Sequence, residues 1–469
     1  MPKEGGRDMC IALTGGMDRL ERCYVMEAER VGITLKVFNG PEARRTSRSQ
    51  PMMWKRILWT VFVLSILAGV SSAAQEAPPP VKLGLDSLVR PETATNFSLG
   101  SFFFTPGNDE GRILFRLRPS VAMTPSENLT ARVEGQWYAF YDDKDFSFFS
   151  LYQGYVEGVV PGVKGVSLKA GRQEFVYGST FLLGADTFYD GLTFDAAKAV
   201  LHPADNLTID LFGGRYVKKW AGGIEGKLYG VYATYTPKEA ISVDLYGFRD
   251  TGGAGATHVG GDHEVTYSVG TRLSGNIAGK KAAFEVEPVY QFGRKNRDGA
   301  SHDHISAYGG HVDLTLDPAL GRYPGKVFLA YAYGSGDGNP QEGKLTEFHN
   351  PNNDTSLIGD MNVIGELSGI VVGDSAASGL HVFTAGGGVD LTENLNVSLD
   401  GHFFRAVKVP AGFSKEIGIE TNLILTCKIK ENISVLLSGN RFFTGGFFKD
   451  AAGSGKDINY VYAQFQATF

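Results

Sequence analysis

Asn459–Phe469, NYVYAQFQATF, alternates between apolar and polar residues up to the last position. Val461, Ala463, Phe465, Ala467 and Phe469 fall on one side, and Tyr460, Tyr462, Gln464, Gln466 and Thr468 on the other. A period of two marks a strand with one greasy and one wet face. This strand runs to the last residue, so its partners must lie elsewhere in the chain.

The same pattern recurs upstream. In NLTARVEGQWYAF, Leu129, Ala131, Val133, Gly135 and Trp137 oppose Thr130, Arg132, Glu134, Gln136 and Tyr138. Ile241, Val243 and Leu245 likewise alternate with Ser242, Asp244 and Tyr246, and Leu395, Val397 and Leu399 with Asn396, Ser398 and Asp400. Each run holds about 10 residues, the length of a tilted strand that crosses a bilayer. Connectors alternate in length. TPSENLT, HPADNLT, TPKEAIS, LTENLNV and IKENISV are short polar turns. RDTGGAGATHVGGDHE, RKNRDGASHDH and the segment 334–379 are long and rich in Gly, Asp and Asn. Short turns on one side and long loops on the other describe a transmembrane β-barrel. The reading is an all-β, antiparallel up-and-down barrel of about 18 strands, with both chain ends periplasmic. Its last strand pairs back to the first, because an open sheet edge cannot stand in lipid. A terminal Phe after alternating aromatics also fits what the barrel assembly machinery recognises.

Composition agrees. Among 469 residues there are 61 glycines, 12% aromatics and only 20% charged residues. Mean hydropathy is near neutral, as it must be when every strand is half polar. A net charge of −6 gives no reason to expect nucleic acid. Cys10, Cys23 and Cys427 show neither a disulfide framework nor metal-ligand spacing. Residues 53–75, MWKRILWTVFVLSILAGVSSAAQ, join basic Lys55 and Arg56 to an apolar stretch and the small residues Ser72-Ala73-Ala74. That is the build of a signal peptide, and the apolar stretch falls short of the roughly 20 residues an anchor needs. The expected division is an upstream extension from a mis-assigned start at 1–52, a signal peptide at 53–74, a periplasmic segment at 75–94 and the barrel at 95–469. The mature chain then keeps only Cys427, which suits an oxidising envelope compartment.

Leu168–Asp195, LKAGRQEFVYGSTFLLGADTFYDGLTFD, carries a family resemblance. Gly171-Arg172-Gln173-Glu174, Tyr177-Gly178, Leu183-Gly184 and Asp190-Gly191 resemble the alginate-export family of outer-membrane proteins, with Phe188 where tryptophan is expected. The resemblance implies an 18-stranded barrel in a Gram-negative outer membrane, in contact with its lipid, and export of an anionic polysaccharide. Alternation sends Arg112, Arg116, Arg118, Arg132, Lys169 and Arg272 inward. It also turns in Glu134, Glu157, Asp210, Asp244, Glu285, Glu287, Asp313, Asp400 and Glu420. A polyuronate conduit needs a positive wall, and this lumen reads acidic. A passive channel for small hydrophilic, charged solutes therefore stands ahead of a dedicated polyuronate exporter.

The solute-binding candidates are Arg112, Arg116, Arg118, Arg132, Glu134 and Arg172. Guanidinium groups bind carboxylate and phosphate bidentately; the plainer role is pairing with Glu134 and its neighbours to hold the wall. Residues 335–379 are the candidate lid, since so long a loop is usually functional. Tyr152, Tyr229, Tyr235, Tyr331, Phe403 and Phe465 are read as interfacial girdles. A barrel hydrolase is the rival class, on His311-Val312-Asp313 and Asp400-Gly401-His402, but no serine is tied to either by spacing. Asp262-His263-Glu264, His302-Asp303-His304 and the oxygen-rich long loop lack ordered ligand spacing, so no metal or other cofactor is expected.

Overall fold

A computed structural model describes residues 81–469 apart from 143–145, 218–225, 239, 252–263, 278–280, 297–301, 321–322 and 340–342, together with the short strands 24–28 and 33–37. The chain divides into two units, Met1–Gln75 and Glu76–Phe469. In the first, Tyr24–Ala28 and Ile33–Val37 pair as an antiparallel hairpin, too short a pattern to register as sustained alternation. The expected signal peptide at 53–74 lies outside the described residues, as does most of 1–52.

The second unit is a closed antiparallel barrel of eighteen wall strands. They are β1 (Val81–Ser98), β2 (Phe103–Ser126), β3 (Leu129–Tyr141), β4 (Phe146–Val159), β5 (Val166–Gln173) and β6 (Phe194–Ala204). Next come β7 (Leu207–Tyr216), β8 (Lys227–Lys238), β9 (Ile241–Thr251), β10 (Glu264–Ile277), β11 (Ala282–Asn296) and β12 (His302–Leu316). The wall is completed by β13 (Tyr323–Gly334), β14 (Ser375–Thr392), β15 (Leu395–Lys408), β16 (Glu416–Lys430), β17 (Ile433–Thr444) and β18 (Ile458–Thr468). Connectors at one end are short, such as 127–128, 205–206, 393–394 and 431–432. The other end carries 174–193, 335–374 and 445–457.

The partner of the C-terminal strand is the first strand of the barrel. β18 pairs with β1, Tyr460 opposite Ala94 and Thr468 opposite Asp86. Phe469 itself donates its N–H to the Leu85 carbonyl at 2.8 Å and accepts from the Leu85 N–H at 3.0 Å. The barrel therefore starts at Val81, and residues 81–94, expected as a periplasmic segment, are wall. Polar Ser87 and apolar Leu88 invert the alternation there, and Pro91 reads as a strand breaker.

Outward positions along the middle of the strands are mostly apolar. Leu245 and Leu329 are 59% and 56% exposed, which only lipid makes tolerable for a continuous belt of such residues. On β10 the outward set runs from Tyr267 to Ile277; at a rise of about 3.3 Å per residue and a tilt of about 40° this covers roughly 25 Å, one apolar band. Tyr229, Tyr235 and Phe465 lie exposed on this surface as expected. Tyr152 does not. A bulge in β4, where Glu134 pairs with Gln153 but Gly135 with Leu151, shifts the pleat and buries Tyr152 inside.

Candidate functional site: a lumen narrowed by two loops

The stretch that carries the family resemblance is not wall. Residues 174–193 leave β5, cross the lumen and return to β6. On the near side Tyr177 donates to Asp210 of β7 at 2.8 Å and stacks on Phe212 and Tyr232. Further on, Ser179 donates to Glu287 of β11 at 2.6 Å. At its far end the loop carbonyls meet arginines. Arg90 donates to Phe188 O at 3.0 Å, Arg116 to Tyr189 O at 3.0 Å, and Arg118 to Asp190 O at 3.4 Å. Gln136 adds a bond to Asp190 O at 2.9 Å. Gly191 follows in the left-handed region, φ 78°, where an added Cβ would sit 2.3 Å from the Tyr152 hydroxyl.

Residues 335–374 form the second inward loop; the last part of the segment expected as a lid, Ser375–Gly379, opens β14 instead. Asn350 donates to Phe181 O at 3.1 Å and Asn352 to the Tyr216 hydroxyl at 2.9 Å. Gly184 N–H reaches Asn352 O at 2.8 Å, so the loops clasp each other. Buried Glu420 of β16 accepts from Asp360 N–H at 2.6 Å and Met361 N–H at 3.1 Å. Gly359, φ 91°, permits that approach: a Cβ there would lie 2.7 Å from the carboxylate. His349 is held between Glu347 and Glu366 at 3.1 and 3.4 Å. Burial works against its charge, but these two carboxylates lift it to about 10.

Of the expected solute ligands, Arg112, Arg116 and Arg118 do face inward, yet all three are buried. Arg112 pairs with Glu92 and donates to Leu99 O at 2.7 Å; Arg118 lies 3.6 Å above the Tyr152 ring. Arg90, buried beside them over the Phe188 ring, was missed because β1 was not read as wall. Arg132 and Glu134 form a half-open pair at 2.8 Å on the lumen wall. Arg172 faces outward, paired with Asp195, because inward Lys169 fixes the parity of β5. Its inclusion rested on the motif, not on alternation.

Lys169, Lys198 and Arg272 are paired but partly open. Lys169 lies 4.0 Å from Glu157, Lys198 is 3.2 Å from Asp210, and Arg272 joins Asp244 and Glu285. Lys169 and Lys198 stand directly opposite each other on β5 and β6. Strand order puts acidic Asp313 on β12 and Asp400 on β15, across the barrel from them. Two cavities flank the loops. One of about 860 Å³ at the long-loop end includes Phe102, Thr266, Gln291 and His349; the other, about 390 Å³ at the short-turn end, includes Arg272, Glu285 and Asp313.

Ser179 Oγ lies 3.2 Å from His311 Nε2, whose Nδ1 lies 2.8 Å from Asp313. This has the outline of a hydrolase triad that spacing could not reveal, since Ser179 arrives on a loop. Its hydroxyl, however, donates to Glu287 rather than to the imidazole. Glu285, His311 and Asp313 could offer a cation one atom each within 4.8 Å, but Arg272 already pairs with Glu285, and His311 is held by Glu287 and Asp313. Of the two loop clusters, Asp262 and His263 lie outside the described residues, and Asp303 is buried on the inner face while His304 is exposed.

The sequence matches the alginate-export family model over residues 81–462. No curated protein sequence matches significantly. The fold is similar to Pseudomonas aeruginosa OccK11 (OpdR), with 12% identity and a TM-score of 0.56 over 83% of this chain and 96% of that one. It is similar to P. aeruginosa OpdK, solved with vanillate, at 11% identity and a TM-score of 0.56, covering 83% and 98%. P. aeruginosa OpdQ gives 11% and 0.56, covering 84% and 99%.

Proposed function

The chain belongs to the alginate-export family of outer-membrane barrels, and from that premise we propose that it is a passive channel for small hydrophilic solutes, narrowed by its own two inward loops. The observation that carries this is the wall charge. Lys169, Lys198 and Arg132 stay partly open on one side, while Asp313 and Asp400 stand across from them. Charges of opposite sign on facing walls set up a transverse field, which orders a dipolar or weakly charged solute without trapping it. A polyuronate would need cations all along its path, and the four most buried arginines are turned to loop carbonyls instead. Arg90, Arg112, Arg116 and Arg118 thus act as loop anchors, and Arg132, Lys169 and Lys198 as solute contacts.

In this reading the long loops face outward, both termini face the periplasm, residues 53–74 are removed as a signal peptide, and assembly machinery reads the terminal Phe469. Hydrolysis is the second reading, suggested by Ser179 beside His311, and the Glu287 hydrogen bond argues against it. The test is the reversal potential in a planar bilayer under a salt gradient. Lys169→Gln with Lys198→Gln is expected to shift it toward cations; an unchanged potential would remove these lysines from the pathway. Ester hydrolysis abolished by Ser179→Ala would instead establish the enzyme.

A further inference from the structure

We propose that the outer face of β5–β12 carries a binding row for the phosphates of a phosphorylated glycolipid in the outer leaflet. This rests on the orientation just given, long loops outward. Cross-strand register aligns Arg172 with Asp195, Asp195 with Arg215, and Arg215 with Lys227, all at the long-loop ends of their strands. Lys227 aligns in turn with Thr251, and further round Val265 aligns with Arg294 and Arg294 with His304. Parity turns every one of these to the lipid side. Arg249 lies one pleat below Thr251 on the same face.

The row is basic and open. Its acid is Asp195, which Arg172 holds at 2.8 Å and Arg215 meets at 3.9 Å, while the Arg215 side chain stays 70% exposed. Among the described residues no carboxylate lies within ion-pair distance of Lys227, Arg249 or Arg294. On the far side of the barrel, by contrast, outward Arg441 is closed by Asp457 at 2.7 Å.

Height identifies the partner. Tyr229, Tyr267 and Phe292 sit two residues below the row and align through Arg249, Tyr229 opposite Arg249 and Arg249 opposite Tyr267. All three are exposed, so they form the aromatic girdle at the membrane interface. Two residues of tilted strand place the cations about 5 Å beyond it, where head-group phosphates lie. Guanidinium forks match phosphate bidentately, and a row of several cations suits a ligand with more than one phosphate.

The test uses the full chain, purified in detergent and stripped of lipid, with binding followed by native mass spectrometry. The probes are bisphosphorylated lipid A, its dephosphorylated form, cardiolipin and inorganic phosphate. The expected result is at least tenfold preference for bisphosphorylated over dephosphorylated lipid A, lost in Arg215→Gln/Lys227→Gln/Arg294→Gln and kept in Arg441→Gln. Arg294→Gln alone, expected to weaken binding severalfold, serves if the triple variant does not fold. Equal binding of both lipid A forms, or an unaffected variant, overturns the proposal. Displacement by millimolar phosphate overturns it in favour of a free-anion site. Cardiolipin preferred over lipid A also overturns it; an epitope in the 335–374 loop, probed on whole cells, then shows separately whether the orientation failed.

Discussion

Glu420 shows how one side chain can hold a loop. Fully buried on the wall, it accepts two backbone N–H groups from Asp360 and Met361. A buried N–H left without its acceptor costs roughly 1–3 kcal/mol. Glu420→Ala is expected to release this part of the loop, giving a noisier and larger single-channel current in a barrel that still folds. Gly359→Ala should do the same by steric push. His349 adds pH dependence. Its stabilisation is fully present below the ordinary imidazole value near 6.5 and is lost as pH rises toward about 10, because the folded state binds the proton more tightly. Asp360 works in a different window. Burial first, and then Asp400, raise it to about 6, so its contribution is already gone above that pH. Open probability should therefore climb between pH 6.5 and 10, and His349→Gln should flatten the climb; a flat profile in the unaltered protein would contradict this account.

At the scale of elements, the two inward loops differ from the strands in what ties them down. Strands satisfy one another through the ladder, whereas each loop depends on side chains of the wall for its exposed carbonyls and amides. For 174–193 these are Arg90, Arg116, Arg118 and Gln136. Arg116→Gln is expected to raise current noise with little change in reversal potential, since a buried anchor does not meet the ions. Excising residues 339–373 should raise conductance severalfold and leave the thermal stability of the barrel nearly unchanged. Sequence showed the strands after the first and the alternation of connectors, because lipid on one side and water on the other enforce a strict period of two. It also turned Arg112, Arg116, Arg118, Arg132, Lys169 and Arg272 inward, but not Arg90 or Lys198. It did not show that Arg112, Arg116 and Arg118 would be covered, because that depends on where Thr187–Asp190 lies after crossing the lumen. Ser179 beside His311 was hidden for the same reason: contacts made by a folded loop leave no periodic trace. Tyr152 was misplaced by one bulge, which no alternation count can detect.

For the whole molecule, closure and narrowing belong to one design. The wall is sealed by β18 against β1 and by the paired backbone of Phe469 and Leu85, so the interior is free to hold charge. Deleting Phe469 removes both bonds and the terminal aromatic, and should lower the yield of heat-modifiable folded barrel. The central claim is that this interior conducts and that its loops, not a plug, set its width. Single-channel current across a planar bilayer under a salt gradient is the test, with the chain from Gln75 onward and its 339–373 deletion measured side by side. The account predicts a steady conductance with mild cation preference, enlarged by the deletion. Silence in both proteins, or strong anion preference with block by polyuronate, would contradict it.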